Sequence, residues 1–346
     1  MNLVLMDVKS ISNLSSASLS DLADQVGNTP IKPIGLTIDG RHYPIHLKLE
    51  SMNPTGSVKD RTGLGLIQWL ELQGSLQPGS TVIESTSGNL GVALALQCRV
   101  RGYKFVAVVD PKTTPENINK MRALGAQIDV VDQPDINGGY LLTRLERIQQ
   151  LCAVHPDYIW SNQYGSLANP RIHANTTAPE IYEQMQGDVD VIFIAVSTGG
   201  TLTGVSRYFR AVSPHTRIIG VDAVGSIIFG TQAGPRLLTG IGSSRASSFI
   251  TAAAYDEYML IDDHTAFAFC RELDTETGIK VGGSSGAVLS ACARYLSRRP
   301  EEQRIVCLCA DGGENYASSL FSDEWLEAHG MVIPAQRSGR IHKIVE

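Results

Sequence analysis

From Ile45 to Asp311 one pattern recurs: a short β-forming run, apolar on both faces, followed by a segment with helical spacing. "IHLKLE" precedes "VKDRTGLGLIQWLE", and "STVIEST" precedes "SGNLGVALALQCRVRG". "KFVAVVD" is followed by "TPENINKMRALG", and "AQIDVVD" by "GGYLLTRLERIQQL". The alternation continues with "DVDVIFIAVS", "TRIIGVDA", "EYMLIDD" and "RIVCLCAD". Strands buried on both faces and separated by helices belong to parallel sheets, so the expected class is α/β. Glycines at 74, 102 and 125 close helical stretches where a C-cap needs positive φ.

A chain of 346 residues exceeds what one core usually serves, so two lobes are expected, each with a mainly parallel sheet flanked by helices. The expected smaller lobe spans 48–165 and the larger combines 10–47 with 166–330; 331–346 reads as a flexible tail. The opening "MNLVLMDVKSISNLSSASLS" lacks a basic region before a long apolar block. It reads as a poorly ordered lead-in rather than a signal peptide. No run of about 20 apolar residues occurs to span a bilayer. A net charge of −6 argues against nucleic acid or an anionic membrane as partner. The six cysteines match no zinc spacing, and Cys307 and Cys309 alternate with apolar neighbours as core strand residues do. No metal is expected, and the compartment indicated is a reducing cytosol.

Three small-residue loops lie where a strand gives way to a helix. In "ESTSGNLG", Ser85, Thr86 and Ser87 either cap the helix or leave its N–H groups for an anion such as a carboxylate. In "VSTGGTLTG", Ser197, Thr198, Gly199, Gly200 and Thr201 suit a phosphate, although neither a Walker loop nor a dinucleotide fingerprint is present. In "VGGSSGAVLSA", Ser284 either caps a helix or offers its hydroxyl to a ring nitrogen. Lys59 follows "NPTGSV" in the first turn of a helix, where the macrodipole disfavours a cation. It is either a solvated surface lysine or an amine held neutral for Schiff-base chemistry; the company of the three loops favours the second reading.

Taken in order, "VGNTP", "NPTGSVKDR", "ESTSGNLG", "NQY…ANP", "STGGT" and "GGSSGA" resemble the fold-type II pyridoxal-phosphate enzymes, the cysteine synthase and cystathionine β-synthase group. The likeness covers about residues 20–320 and implies the tryptophan synthase β-like fold, with a mobile smaller lobe, in a homodimer. It implies that Lys59 carries pyridoxal 5′-phosphate and acts as the catalytic base. Asn89 would bond the ring hydroxyl, Ser197 to Thr201 the phosphate, and Ser284 the pyridine nitrogen. Ser85, Thr86, Ser87 and Gln163 would take the substrate carboxylate. A serine at the ring nitrogen implies β-elimination and β-replacement rather than transamination.

Two departures from cysteine synthases each add a hydroxyl: Ser197 opens the phosphate loop, and Tyr164 follows Gln163. "VVDPKTTPENINKMRALGA", "QPDINGGYLLTRL" and "VDAVGSIIFG…TGIGSSRA" are similar to a narrower branch. Its members join the amine of L-glutamate to O-phospho-L-serine in 2,3-diaminopropionate synthesis. Both substrates are anionic, so Arg144 is the first expected anion contact, with Arg245 and Arg236 behind it. The rival readings are a sulfhydrylase that makes cysteine and a non-catalytic cofactor-binding scaffold.

Overall fold

The computed structural model describes residues 11, 15–135, 139–333 and 339–344. In chain order its strands are β1 (Ile31–Ile38), β2 (Arg41–Leu49), β3 (Thr81–Ser85), β4 (Lys104–Val109), β5 (Gln127–Val130) and β6 (Tyr158–Trp160). They continue with β7 (Val191–Ala195), β8 (Arg217–Ala223), β9 (Glu257–Ile261), β10 (Ile305–Cys309) and β11 (Arg340–His342). The chain divides into two compact units. One takes in the described residues of Met1–Asn28 and Met52–Ile172; the other takes in those of Thr29–Ser51 and His173–Glu346.

In the first unit the sheet order is β5-β4-β3-β6, and every pairing is parallel. Both faces are covered, as the unbroken apolar runs require. Phe105, Ala107 and Val109 of β4 pack in a core with Leu90 and Leu94 of the helix Asn89–Arg101. Val106 and Val108 turn the other way, onto Ile148 of the helix Leu141–Val154. The helix Lys59–Leu72 lies close against Asn89–Arg101: a Cβ at Gly63 would sit 3.1 Å from Ala93 Cβ. That approach is four residues in from Lys59 and four in from Asn89. Both helix starts therefore lie within about 6 Å of axial rise from the contact.

The second unit holds a mixed seven-stranded sheet, β11-β1-β2-β10-β7-β8-β9. Its strands from β2 through β9 in that order are parallel neighbours, and β1 pairs antiparallel with both β2 and β11. Cys307 and Cys309 join one core with Val288 and Ala291 of the helix Gly283–Leu296. Val306 and Leu308 face the opposite core with Val205 and Phe209. Asp39 and Gly40, at φ of 49° and 79°, turn β1 into β2 as a left-handed two-residue hairpin loop. The glycines at 74, 102 and 125 do adopt positive φ at helix ends.

Three sequence expectations are corrected. Residues 16–23 are not a poorly ordered lead-in: they form a helix whose N-cap Ser15 hydroxyl accepts from Ser18 N. Nor does this stretch join the larger unit as expected for 10–47. Leu19 and Ala23 are buried in the smaller unit's core with Leu90 and Leu94, which supplies apolar cover that the helix needs. The division falls at 51/52 and 172/173, not at 47/48 and 165/166. The expected flexible tail contains β11, where Ile341 is 3% exposed and pairs with Leu36. The rest of the lead-in (1–10 and 12–14) and of the tail (334–338 and 345–346) lies outside the described residues. Among the described residues no helix is long and apolar enough to cross a membrane.

Candidate active site

In open parallel sheets, ligands are received at the carboxyl ends of the strands, where helix N-termini point outward. In the first unit that edge consists of Ser85–Gly88 after β3, Asp110–Thr113 after β4 and Ser161–Gln163 after β6. The β3 loop is anchored by Thr86 N, which donates to Val108 O at 3.0 Å. It opens the helix Asn89–Arg101 at Gly88, with no side chain capping that helix. A Cβ at Gly91 would strike Met121 Sδ and lie 2.8 Å from Thr86 Cγ2, so only glycine lets the loop sit this low on the helix. Ser87 is exposed, Asn89 is half-buried, and the buried Ser85 hydroxyl has no hydrogen-bond partner among the described residues.

Glu84, the last residue but one of β3, organises this edge, and sequence reasoning missed it. Its carboxylate is fully buried and accepts from Ser85 N (2.8 Å), Ser161 Oγ (2.7 Å), Gln163 N (2.9 Å) and Trp160 Nε1 (3.3 Å). Burial pushes its carboxyl above the usual range, against the pull of those four donors. Gln163 is thereby fixed beside the β3 loop, where its Nε2 donates to Ser85 O at 2.8 Å. The structure thus brings Ser85, Thr86 and Gln163 together, with the half-buried Tyr164 next in the chain. A glutamate directly before the serine-rich loop was the available signal.

Lys59 is half-buried at the first position of its helix, whose N-cap, Val58, makes no side-chain cap. The preceding turn is drawn onto the helix by Asp60, another residue not singled out from sequence. Its carboxylate accepts from Thr55 N at 3.1 Å, Thr55 Oγ1 at 2.8 Å and Ser57 N at 3.4 Å. Gly56, at φ 90°, permits the reversal. Arg144 is 7% exposed and ion-paired through Nε to Asp110 at 3.3 Å, while its Nη1 has no partner among the described residues.

In the second unit the corresponding edge holds the 197–201 loop after β7. Gly199 has φ 90° and opens the helix Gly200–Val212 with no side-chain cap. A Cβ there would strike Ser247 Oγ and approach Ile250 Cγ1 to 2.7 Å. The loop is braced from below: Ser247 Oγ donates to Thr198 O (2.6 Å), Gly242 N to Val196 O (2.7 Å), and Ser197 Oγ to Gly242 O (3.4 Å). Buried His173 spans two threonines, with Nδ1 2.9 Å from Thr177 Oγ1 and Nε2 3.3 Å from Thr201 Oγ1. A glycine cradle at an uncapped N-terminus of a thirteen-residue helix fits a phosphate monoester, dianionic and rich in acceptors. Ser284 is 2% exposed in the first turn of the helix Gly283–Leu296, which also lacks a side-chain cap. Arg236 is tied to the loop carbonyl of Gly225 (3.1 Å), and Arg245 is half-buried with its backbone N on Ser243 Oγ.

Each unit therefore offers an anion-suited helix N-terminus at the carboxyl edge of its sheet. Residues 22–311 match the family described as pyridoxal-phosphate dependent enzyme. The chain is 42% identical over 318 residues to the N-(2-amino-2-carboxyethyl)-L-glutamate synthase of Ralstonia nicotianae, covering 92% of this chain and 93% of that one. It is 41% identical to the synthase of the same name from Cupriavidus metallidurans, over 89% and 91% of the two chains. Among solved structures, a hydrogen sulfide-producing enzyme from Fusobacterium nucleatum superimposes with a TM-score of 0.80 at 31% identity, over 85% of this chain and 98% of that one. O-ureido-L-serine synthase does so at 0.79 and 30%, over 89% and 98%. The chain belongs to the pyridoxal-phosphate dependent enzyme family, and pyridoxal 5′-phosphate is its cofactor.

Proposed function

We propose that the enzyme replaces the phosphate of O-phospho-L-serine with the amine of L-glutamate, giving N-(2-amino-2-carboxyethyl)-L-glutamate and inorganic phosphate. The observation that carries this reading is the likeness, across about nine-tenths of both chains, to two synthases of that name. In the reaction the Cβ–O bond breaks with its electrons going to phosphate, a Cβ–N bond forms, and the glutamate nitrogen gives up a proton.

The residues present fit the cofactor. Lys59 would hold it covalently, with Asn89 at its ring hydroxyl, Ser197 to Thr201 at its phosphate and Ser284 at its ring nitrogen. When bound, the cofactor withdraws electrons from the substrate's Cα. The remaining work falls to the chain. Ser85, Thr86 and Ser87 offer their hydroxyls and the Ser87 N–H to the α-carboxylate, and Gln163, locked by Glu84, orients it. Once released by the incoming amino group, Lys59 Nζ takes the Cα proton and returns it after the new bond forms. Arg144 offers a cationic donor to a side-chain anion, with Arg245 and Arg236 as further candidates. Tyr164 and Ser197 each add a hydroxyl that the cysteine-synthase pattern lacks, to be met by a polar atom of ligand or protein, as Ser197 Oγ is by Gly242 O. All six cysteines are free, which supports a reducing cytosol as the compartment, and a homodimer is the proposed assembly.

Mass spectrometry of the product formed from O-phospho-L-serine and L-glutamate tests the reading directly. The carbon–nitrogen adduct is expected. Cysteine formed from O-acetylserine and sulfide at a higher kcat/KM would replace it with a sulfhydrylase. Lys59→Ala is expected to abolish both turnover and the near-visible cofactor band; an unchanged band would remove Lys59 from its role.

A further inference from the structure

Arg144 and Arg147 lie one turn apart on the helix Leu141–Val154, and each meets an aspartate at the carboxyl side of a neighbouring strand. Arg147 makes a closed fork with Asp129: Nε to Oδ1 at 2.9 Å and Nη2 to Oδ2 at 2.8 Å. Both partners are partly exposed, and this is an ordinary structural pair. Arg144 differs on every count. It and Asp110 are 7% and 5% exposed, and the pair joins through Nε alone, at 3.3 Å. Nε also reaches Tyr140 O at 3.4 Å, yet buried Nη1 has no partner among the described residues. A buried guanidinium nitrogen left unpaired is expensive, so a pair made only for stability would have closed the fork.

Asp110 is itself held rigidly. Its Oδ1 accepts from Lys112 N at 2.8 Å, and its own N donates to Thr113 Oγ1 at 3.3 Å. It follows β4, next to the end of β3, where Ser85 pairs with Val108. Two other buried polar atoms around this same β3 loop also lack partners: Ser85 Oγ and Asn117 Oδ1. A Cβ on Gly88 of that loop would lie 3.9 Å from Asn117 Nδ2, which places Asn117 against it. One cationic donor and one hydroxyl, both buried and unpaired at one strand edge, suit an anion, and the Asn117 oxygen beside them suits an N–H or O–H donor of the same ligand.

We infer that Asp110 is a positioning residue: it grips Arg144 by its Nε edge so that Nη1 is presented to the side-chain anion of an amino-acid substrate, phosphate or carboxylate. The inference rests on the reading of Arg144 given above. Without Asp110 the guanidinium is free to turn out to solvent, and the buried anion contact is lost even though Arg144 remains. Misplacing a contact by about an ångström costs up to roughly 100-fold in such sites.

The test is a double-mutant cycle on the holoenzyme. KM and kcat are measured for O-phospho-L-serine and L-glutamate, and O-phospho-L-serine is titrated against the near-visible cofactor band. Asp110→Ala is expected to raise KM for one substrate roughly 10- to 100-fold with the band intact. In an Arg144→Ala background it should add nothing, because Asp110 acts only through Arg144. Asp110→Asn, which keeps an acceptor for Nε and the side-chain size, should retain more than Asp110→Ala and covers the case in which the alanine variant fails to fold. Losses that add in the cycle, or an asparagine variant as impaired as Arg144→Ala, overturn the inference. So does an Asp110→Ala enzyme with wild-type constants while Arg144→Ala is impaired; that outcome leaves the Arg144 reading standing. Wild-type constants in Arg144→Ala would remove the Arg144 reading, and this inference with it.

Discussion

At the carboxyl end of β7 each hydroxyl of the 197–201 loop has a partner within the second unit: Ser197 on Gly242 O, Thr198 with Gly200 N, and Thr201 with His173. At the carboxyl end of β3 the first unit leaves Ser85 Oγ, Asn117 Oδ1 and Arg144 Nη1 buried without a partner among the described residues. The same βα geometry thus yields a braced cradle in one unit and an unsatisfied polar edge in the other. Backbone N–H groups at a helix start can receive a resident phosphate while the side chains brace the loop. A substrate that must be held and released is better met by side chains whose pairing is completed only by the ligand, since unmade bonds raise the energy of the free site.

Filling the braced cradle should break it most severely. Gly199→Ala places a side chain at φ 90° against Ser247 and Ile250, and the loop has no slack to yield. Cofactor affinity is expected to fall at least about tenfold, with roughly 1–3 kcal/mol of stability lost to backbone strain. Equilibrium dialysis of cofactor and thermal denaturation would measure both, and wild-type retention would show that the loop is not the phosphate cradle.

Buried carboxylates reverse the contrast. Asp222, the last residue but one of β8, is fully buried; its Oδ1 accepts from Ala223 N at 2.8 Å, and its Oδ2 has no partner among the described residues; burial pushes its carboxyl up to about 6. Because its folded pKa is raised, its contribution to stability is fully present below about pH 4 and is lost as pH rises through about 6. A shift of roughly two units is worth about 3 kcal/mol. Asp222→Asn should therefore gain up to about that much on wild type between pH 4 and pH 7, read from urea unfolding at each pH. A difference independent of pH would mean that Asp222 is solvated or paired in solution.

Glu84 of the first unit, its carboxyl also pushed up by burial but bonded to four donors, should lose stability on amide substitution. Glu84→Gln keeps the size but turns an NH2 toward N–H groups that need an acceptor, at a cost of roughly 1–3 kcal/mol. The loss should be accompanied by a raised KM for O-phospho-L-serine, since Gln163 is released. An unaffected KM would separate the staple from the site.

The smallest expected effect comes from the two added hydroxyls, one in each unit. Tyr164→Phe and Ser197→Gly together should lower glutamate condensation and raise β-replacement with O-acetylserine and sulfide, on the order of tenfold in the ratio of kcat/KM. Ser197 already bonds Gly242 O, so Tyr164 should account for more of the change. An unaltered preference in both single variants and the double would return specificity to the arginines.

Much of this was legible in the residue order. Two-sided apolar runs identified the parallel strands, glycines marked helix ends, and the loops at Ser85, Ser197 and Ser284 fell at helix starts. The hairpin at Asp39–Gly40 carried a signal as well, an Asp-Gly pair between two β-forming runs. Other features carried none. Nothing around Arg340 announces that β11 pairs with β1, some three hundred residues earlier, because three residues hold too little pattern to select a partner. The helix at 16–23 docks on the smaller unit although its neighbours in sequence lead into the larger, since docking follows complementary apolar faces.

Sequence alone identified the longer strands and helices, though not the helix at 16–23 or β11, and the small-residue loops at which helices begin. These depend on residue type and spacing over a few positions, and the physics involved is local. Tertiary structure decided which polar groups are satisfied. Glu84 became a four-donor staple, Arg147 a closed fork and Arg144 an open one only when strand ends distant in sequence came together. Desolvation and hydrogen-bond partnership are properties of assembled neighbours, and no short stretch of chain encodes them.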